Sequence, residues 1–350
     1  MQLVDLWEGV EPQAYCWDLV APDNSICVGF WYGPSRVTKI DPVTMAELGN
    51  WIGSTEDEYY CKALTSDGKY AYAGLATPTA KVVKIRIEDM AWQGFWSAWD
   101  GENCDALLFD GTFLYAGLGT SPAKIVKINP AAMNTIAAWT GEAGQDDCRA
   151  LIFDGQCLYA GLYTQPARVV KIIPGSMHGI AVWQGLPGQD QCSSLTFDGK
   201  YLYAGLDTEP AQVVKINPEE MTTINTWVGQ PSERYTRALA FDGNYVYAGL
   251  HTVAAQVIKI NPRNMQGIDY WLGTEGQNHC QALIFDGQYI CAGLNAPPAL
   301  VIQIDPETMA TRRAWEVPAD ESEITALTFN GLYTLVGIDS LPARVCRTIL

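Results

Sequence analysis

The sequence predicts an all-β fold, an eight-bladed β-propeller of four-stranded antiparallel blades. Three features carry that expectation: a hairpin dipeptide recurring every 43 or 44 residues, a tryptophan ladder in step with it, and two chain ends that complement each other. The dipeptide is Asp-Gly at Asp67-Gly68, Asp110-Gly111, Asp154-Gly155, Asp198-Gly199, Asp242-Gly243 and Asp286-Gly287. Asn330-Gly331 and a weaker Asp23-Asn24 stand at the two ends of the series. The ladder runs Trp7, Trp51, Trp96, Trp139, Trp183, Trp227, Trp271 and Trp315, and it also counts eight units.

Within the unit from Cys148 to Gly185, four short strands follow in order. Strand a, Cys148 to Phe153, meets Asp154-Gly155, whose access to positive φ suits a two-residue hairpin turn. Strand b is Cys157 to Leu162, broken by Thr164-Gln165-Pro166. Strand c, Arg168 to Ile173, is rich in β-branched residues and stops at Pro174-Gly175. Strand d is Gly179 to Trp183. No stretch with helical spacing recurs with the unit.

Leu3 to Gly9 matches strand d, whereas Ile324 to Leu350 supplies strands a, b and c without a d. Residues 3–9 are therefore expected to complete the last blade and close the ring, making residues 1–350 a single propeller domain. With 48% hydrophobic residues, 12 Trp and 17 Tyr, the chain can bury a large core. A net charge of −17 and the absence of basic runs argue against nucleic acid and anionic lipid as partners. No stretch has the length of a membrane span, and Met1 to Asp5 does not read as a signal sequence. The expected product is soluble, in the cytoplasm or in an assembled particle.

Units such as Tyr115-Ala116-Gly117-Leu118-Gly119-Thr120-Ser121-Pro122-Ala123-Lys124-Ile125-Val126-Lys127-Ile128 resemble bacterial repeat propellers of the YVTN-like kind, whose blades carry a G-T-x-x-P-x-x-V-V-K-I stretch. The resemblance covers the whole chain and implies the fold, with no catalytic residue to carry over. The WD40 and kelch patterns are not met.

Positions repeated in every blade read as construction. The tryptophans are expected to pack between neighbouring blades. The turn Asp and the strand c Lys (Lys39, Lys84, Lys127, Lys171, Lys215 and Lys259, with Gln303 and Arg347 completing the row) recur together and suggest a charge pair. Cys16, Cys61, Cys104, Cys148, Cys192 and Cys280 share the start of strand a, with Thr236 and Ile324 in the other two blades. They read as small buried filler in a reducing compartment. Disulfides would need Cα atoms within about 7 Å, and a metal or redox ring would not tolerate Thr and Ile.

No catalytic constellation is legible, and no cofactor or metal site is expected. The three histidines, His178, His251 and His279, have no metal-ligand spacing, and no nucleophile elbow or phosphate-cradling loop occurs. His279 beside Cys280 comes nearest to a site and reads as an exposed loop histidine. Nothing selects a glycosidase-type acid pair from 39 carboxylates.

The variable positions are where function is expected. In a propeller the b–c and d–a connections emerge on one side, and here they differ between blades. The residue after strand b is Trp31, Ala76, Gly119, Tyr163, Asp207, His251, Asn295 and Asp339. The residue after the strand a cysteine position is Trp17, Lys62, Asp105, Arg149, Ser193, Arg237, Gln281 and Thr325. Tyr15, Trp17, Trp31, Tyr32, Tyr59 and Tyr60 cluster on the first two blades, with Tyr163 and Tyr235 farther round. Such aromatics suit sugars, peptides and protein partners. The acidic loops Glu56-Asp57-Glu58, Asp146-Asp147 and Asp320-Glu321 are expected to favour a cationic partner or divalent ion.

The candidate binding residues are Tyr15, Trp17, Trp31, Tyr32, Tyr60, Lys62, Asp105, Arg149, Tyr163, Asp207, Tyr235, Arg237 and His251. The leading expectation is a non-enzymatic module for a protein or carbohydrate partner, with a virion or surface appendage as one setting. A glycosidase- or lyase-type enzyme with its site at the channel mouth, and a purely architectural ring, are the alternatives.

Overall fold

The computed structural model describes residues 5–10, 15–22, 24–54, 58–98, 103–316 and 323–349. It is all-β: eight antiparallel sheets of four strands make an eight-bladed β-propeller. Blades 1 to 7 span residues 16–52, 61–97, 104–140, 148–184, 192–228, 236–272 and 278–316, and blade 8 joins residues 323–349 to residues 5–8. No helix of the described residues is long and apolar enough to cross a membrane. The chain divides into two compact units. One comprises Arg149–Ile324, and the other Val4–Cys148 with Thr325–Leu350.

In blade 4 the strands are Cys148–Phe153, Leu158–Leu162, Arg168–Ile173 and His178–Gln184, close to the expected bounds. Strand b is buried at every residue, while strand d is mostly exposed and buries its Trp183. That gradient explains the repeat. Strand b must be apolar on both faces, and its Gly must lack a Cβ because the next blade's strand a packs on it. A Cβ at Gly74 would lie 2.6 Å from Cys104 Sγ, and one at Gly161 would lie 2.7 Å from Cys192 Sγ. All ten cysteines are free thiols, and burial pushes Cys192 up to about 12.

The tryptophans tie blade to blade. Trp96 Nε1 donates to Thr135 Oγ1 at 2.7 Å, and Trp183 and Trp271 donate to Thr223 and Thr311 at 2.8 Å, each on the next blade's strand d.

Two expectations need correction. At the hairpins only the Gly of Asp-Gly takes a positive φ, so the dipeptide is not the central pair of the turn. Asp110 flanks it instead, with its backbone N–H donating to Phe113 O at 3.1 Å and its Oδ1 accepting the amides of Thr112 and Phe113 at 2.7 Å. Nor does the strand c lysine pair with the turn Asp. Lys84, Lys215 and Lys259 donate to the carbonyls of Pro130, Pro262 and Pro306 in the next blade's c–d turn, each at 2.6 Å. The free carboxylate oxygen accepts a strand b tyrosine hydroxyl instead, as in Tyr72 to Asp67 at 2.8 Å and Tyr203 to Asp198 at 2.6 Å. An ammonium satisfied by a carbonyl keeps its stem on aromatic rings, with Lys215 Nζ 3.8 Å from the Tyr201 centroid. Blade 7 replaces Tyr and Lys together: Cys291 and Gln303 both reach Asp286 Oδ2.

The chain ends meet as expected. Asp5–Glu8 pairs antiparallel with Arg344–Ile349, in the register Trp7↔Val345 and Glu8↔Arg344. Arg344 bonds Glu8 at 2.9 Å, and Arg347 holds both Asp5 and the Pro42 carbonyl. Leu3 and Val4 of the expected strand, and Asp23 of the hairpin series, lie outside the described residues.

Candidate functional site

One backbone device builds the candidate site. In six blades the residue before the strand a cysteine position takes a left-handed φ, among them 58° at Tyr15, 47° at Tyr60, 48° at Tyr235 and 48° at His279. Its N–H reaches the preceding blade's b–c loop, as in Tyr235 to Thr208 O at 3.0 Å and His279 to Thr252 O at 2.9 Å. Its carbonyl accepts the amide of the residue after strand b in its own blade, as in Trp31 to Tyr15 and His251 to Tyr235. The residue after strand b therefore lies beside the residue that opens the next blade, and in the pairs Trp31 with Tyr60 and His251 with His279 the side chains meet.

In the Val4–Cys148 unit this produces an aromatic stack. Trp31 lies between Trp17 and Tyr60, with centroids 4.6 Å and 4.4 Å away, and Tyr59 follows at 5.8 Å from Tyr60. Both faces of Trp31 are thus used within the protein, leaving it half-buried. The open aromatic surface belongs to Trp17, 38% exposed, with Tyr15 and Tyr32 each at 37%. Lys62 Nζ sits 5.4 Å from the Trp31 centroid and bonds Asp105 at 2.6 Å. Gly119 makes room for that carboxylate, since a Cβ there would be 2.1 Å from Asp105 Oδ2. Part of the variety after strand b is therefore steric.

Directly after Trp17, Asp18 stands where blades 2 to 8 carry Ala or Ser. Its two oxygens accept the amides of Leu19 at 2.8 Å and Leu64 at 2.6 Å. Burial raises its carboxyl to about 6 despite those bonds. Nothing in the repeat statistics marks Asp18 except its departure from Ala.

In the Arg149–Ile324 unit the same positions hold a polar row. The Arg149 guanidinium lies 4.7 Å from the Tyr163 centroid, and Tyr163 donates to Asp207 Oδ2 at 3.0 Å. Arg237 Nη1 approaches the same oxygen at 2.9 Å. The Arg237 guanidinium lies 5.8 Å from the Tyr235 ring, whose centroid is 6.2 Å from that of His251. His251 and His279 stack at 3.9 Å and 18°. Burial, then His279 and Arg237, push His251 down to about 4, so its imidazole is neutral at pH 7. Burial raises Asp207, opposed by Arg237, Tyr163 and Arg149. Tyr163 is also raised, by burial and the Asp207 charge. Near-parallel imidazoles keep their lone pairs in parallel planes and do not converge on one ion. Among the described residues, no three His, Cys, Asp or Glu side chains gather to hold a metal.

His279 corrects the sequence reading. It lies in the strand Asn278–Phe285, half-buried against His251, and is not an exposed loop residue. Its signal was its place before Cys280, the place that Tyr15, Tyr60 and Tyr235 share. The acidic loops also change. Glu58 is buried, accepting the Ser54 amide at 2.8 Å and Lys81 at 3.0 Å, so it braces the d–a loop rather than charging the surface. Asp146 accepts Ser121 Oγ at 2.7 Å, while Glu56, Asp57, Asp320 and Glu321 lie outside the described residues.

No family model matches the chain, and no curated protein matches it. Solved structures do. The computationally designed Ika8 protein aligns with a TM-score of 0.79 and 17% identity over 99% of both chains. Sqt1 of Saccharomyces cerevisiae aligns at 0.79 and 12% over 100% of both. BamB of Moraxella catarrhalis aligns at 0.71 and 13%, covering 100% of this chain and 99% of its own. At these identities the likeness is one of fold.

Proposed function

We propose that the chain is a binding or assembly module that engages a protein or carbohydrate partner through the b–c and d–a ends of its blades. The propeller fold supports a binding or scaffold role in general, and the aromatic stack supports this more specific one. Trp17, Tyr15 and Tyr32 keep open rings on a base stiffened by Trp31 and Tyr60. Rings held in place lose little freedom on binding, and each presents an apolar face with a polar edge.

A sugar is favoured as a second kind of ligand by those same open faces, which suit the apolar side of a pyranose. The glycosidase or lyase reading draws less support. The one carboxylate beside the stack with a raised pKa, Asp18, has both oxygens engaged by backbone amides.

The test is a screen of the immobilised full chain against arrays of neutral oligosaccharides and of basic peptides. Retention of a hit should weaken at least tenfold in Trp17→Ala and Tyr32→Ala. It should persist in Asp154→Asn and Asp198→Asn, which alter the opposite hairpins. An array with no hit, or hits indifferent to the aromatic changes, would refute the proposal.

A further inference from the structure

We propose that the groove between the outer strands of blades 5 and 6, Thr222–Val228 and Gln266–Leu272, is a binding site for an extended basic peptide bearing one apolar side chain. This groove shares no residue with the aromatic stack or the polar row, so its test is independent of the function proposed above.

The repeat supplies the control. Where Thr135, Thr223 and Thr311 stand on strand d, the hydroxyl accepts the preceding blade's tryptophan Nε1–H. The same register position is Gly267 in blade 6, as it is Gly179 in blade 4. A Cβ there would lie 3.0 Å from Trp227 Nε1 and 3.5 Å from Ile258 Cγ2, so its absence uncovers the indole edge. No hydrogen-bond partner of Trp227 Nε1 exists among the described residues. The missing side chain opens a cavity of about 330 Å³ lined by Trp227, Val228, Ile258, Ile268, Asp269 and Tyr270, with Glu233 at its rim. That volume lies at the small end of ligand sites.

The lining selects the occupant. The indole N–H asks for an acceptor, and a carboxylate acceptor would face the exposed Asp269 and the nearby Glu233. A neutral peptide carbonyl meets the N–H without that repulsion. Val228, Ile268 and Tyr270 are exposed apolar surface on which one side chain can rest, and Asp269 attracts a neighbouring ammonium. The strand Gln266–Leu272 is also the last strand of its blade, so its outer backbone groups, apart from the Tyr270 N–H that Asp269 Oδ1 accepts at 2.9 Å, can pair with an added extended segment.

The experiment follows the tryptophan indole resonances of the full chain by two-dimensional NMR. The probe is a capped lysyl-leucyl-lysine tripeptide, with capped glutamyl-leucyl-glutamate as the comparison. Gly267→Thr supplies the threonine that blades 3, 5 and 7 carry at this register and identifies the Trp227 signal by the change it makes there. The basic peptide should shift the Trp227 indole saturably, and affinity should fall about tenfold in Gly267→Thr and severalfold in Asp269→Asn. Absence of a shift up to about 10 mM peptide would overturn the proposal, as would equal binding by Gly267→Thr or an equal response to the acidic peptide. A Trp227 shift that grows with protein concentration alone would assign the groove to self-association instead.

Discussion

Trp31 and Tyr60 in one unit, and His251 and His279 in the other, occupy the same two places of the repeat and stack in the same way, 4.4 Å and 3.9 Å apart. Around the first pair the neighbours are aromatic and open to solvent. Around the second they are Asp207, Arg237 and Tyr235, drawn into a network that leaves Asp207 Oδ1, Arg237 Nε and His279 Nδ1 buried without a hydrogen-bond partner. The blade fixes where two side chains meet, and residue type decides whether the meeting makes a platform or a polar cluster. The aromatic region keeps open rings at the surface. The polar region stands under electrostatic constraint at its own core.

The largest effect expected from this contrast is at Asp207. Asp207→Ala strands Arg237 and the Tyr163 hydroxyl, and should cost about 2–4 kcal/mol in urea unfolding, less than a fully buried pair because Arg237 keeps some solvent contact. A loss below about 0.5 kcal/mol would mean that the row is not held by this carboxylate.

The aromatic stack divides differently. Trp31→Ala removes two ring contacts at once and should cost about 1–3 kcal/mol, whereas Trp17→Ala should cost under about 1 kcal/mol while taking the larger share of any binding. Equal stability losses at the two positions would show that Trp17 is as structural as Trp31.

The two regions should also respond to acid with opposite signs. His251 holds a pKa of about 4 against about 6.5 unfolded, so between those values the unfolded chain binds the extra proton and stability is lost as pH falls. Asp18 holds about 6 against about 3.9 unfolded, so there the folded chain binds the extra proton and stability is gained as pH falls. Urea midpoints from pH 7 to 4 should therefore decline less steeply in His251→Phe and more steeply in Asp18→Ala. Parallel slopes in both variants would contradict the assignment.

The smallest effect belongs to Arg149, whose exposed guanidinium stacks on Tyr163. Arg149→Ala should change stability by less than about 1 kcal/mol. A larger loss would extend the polar row's constraint to its outer end.

Much of this architecture was legible in the chain. The Asp-Gly and tryptophan ladders recur because every blade needs the same turn and the same inter-blade contact. The strand d sequence at the N-terminus appears because an open edge must be paired. Local periodicity is enough for such readings, since each compares a position with its equivalents in other units of about 44 residues. It also placed Trp17, Trp31, Tyr60, Asp207 and Arg237 at positions where blades diverge.

Contacts between blades were decided only in three dimensions. The strand c lysine bonds a proline carbonyl of the next blade, 46 or 47 residues away, while a strand b tyrosine hydroxyl bonds the turn carboxylate of its own blade. His279 read as a loop residue until the left-handed backbone before Cys280 carried its ring onto His251. Glu58 read as surface charge until its carboxylate met the Ser54 amide and the Lys81 ammonium. In each case the sequence specified the group, while its partner came from a neighbouring blade or a folded loop. Which partner wins depends on the distances and desolvation that packing creates, and residue order alone does not contain those.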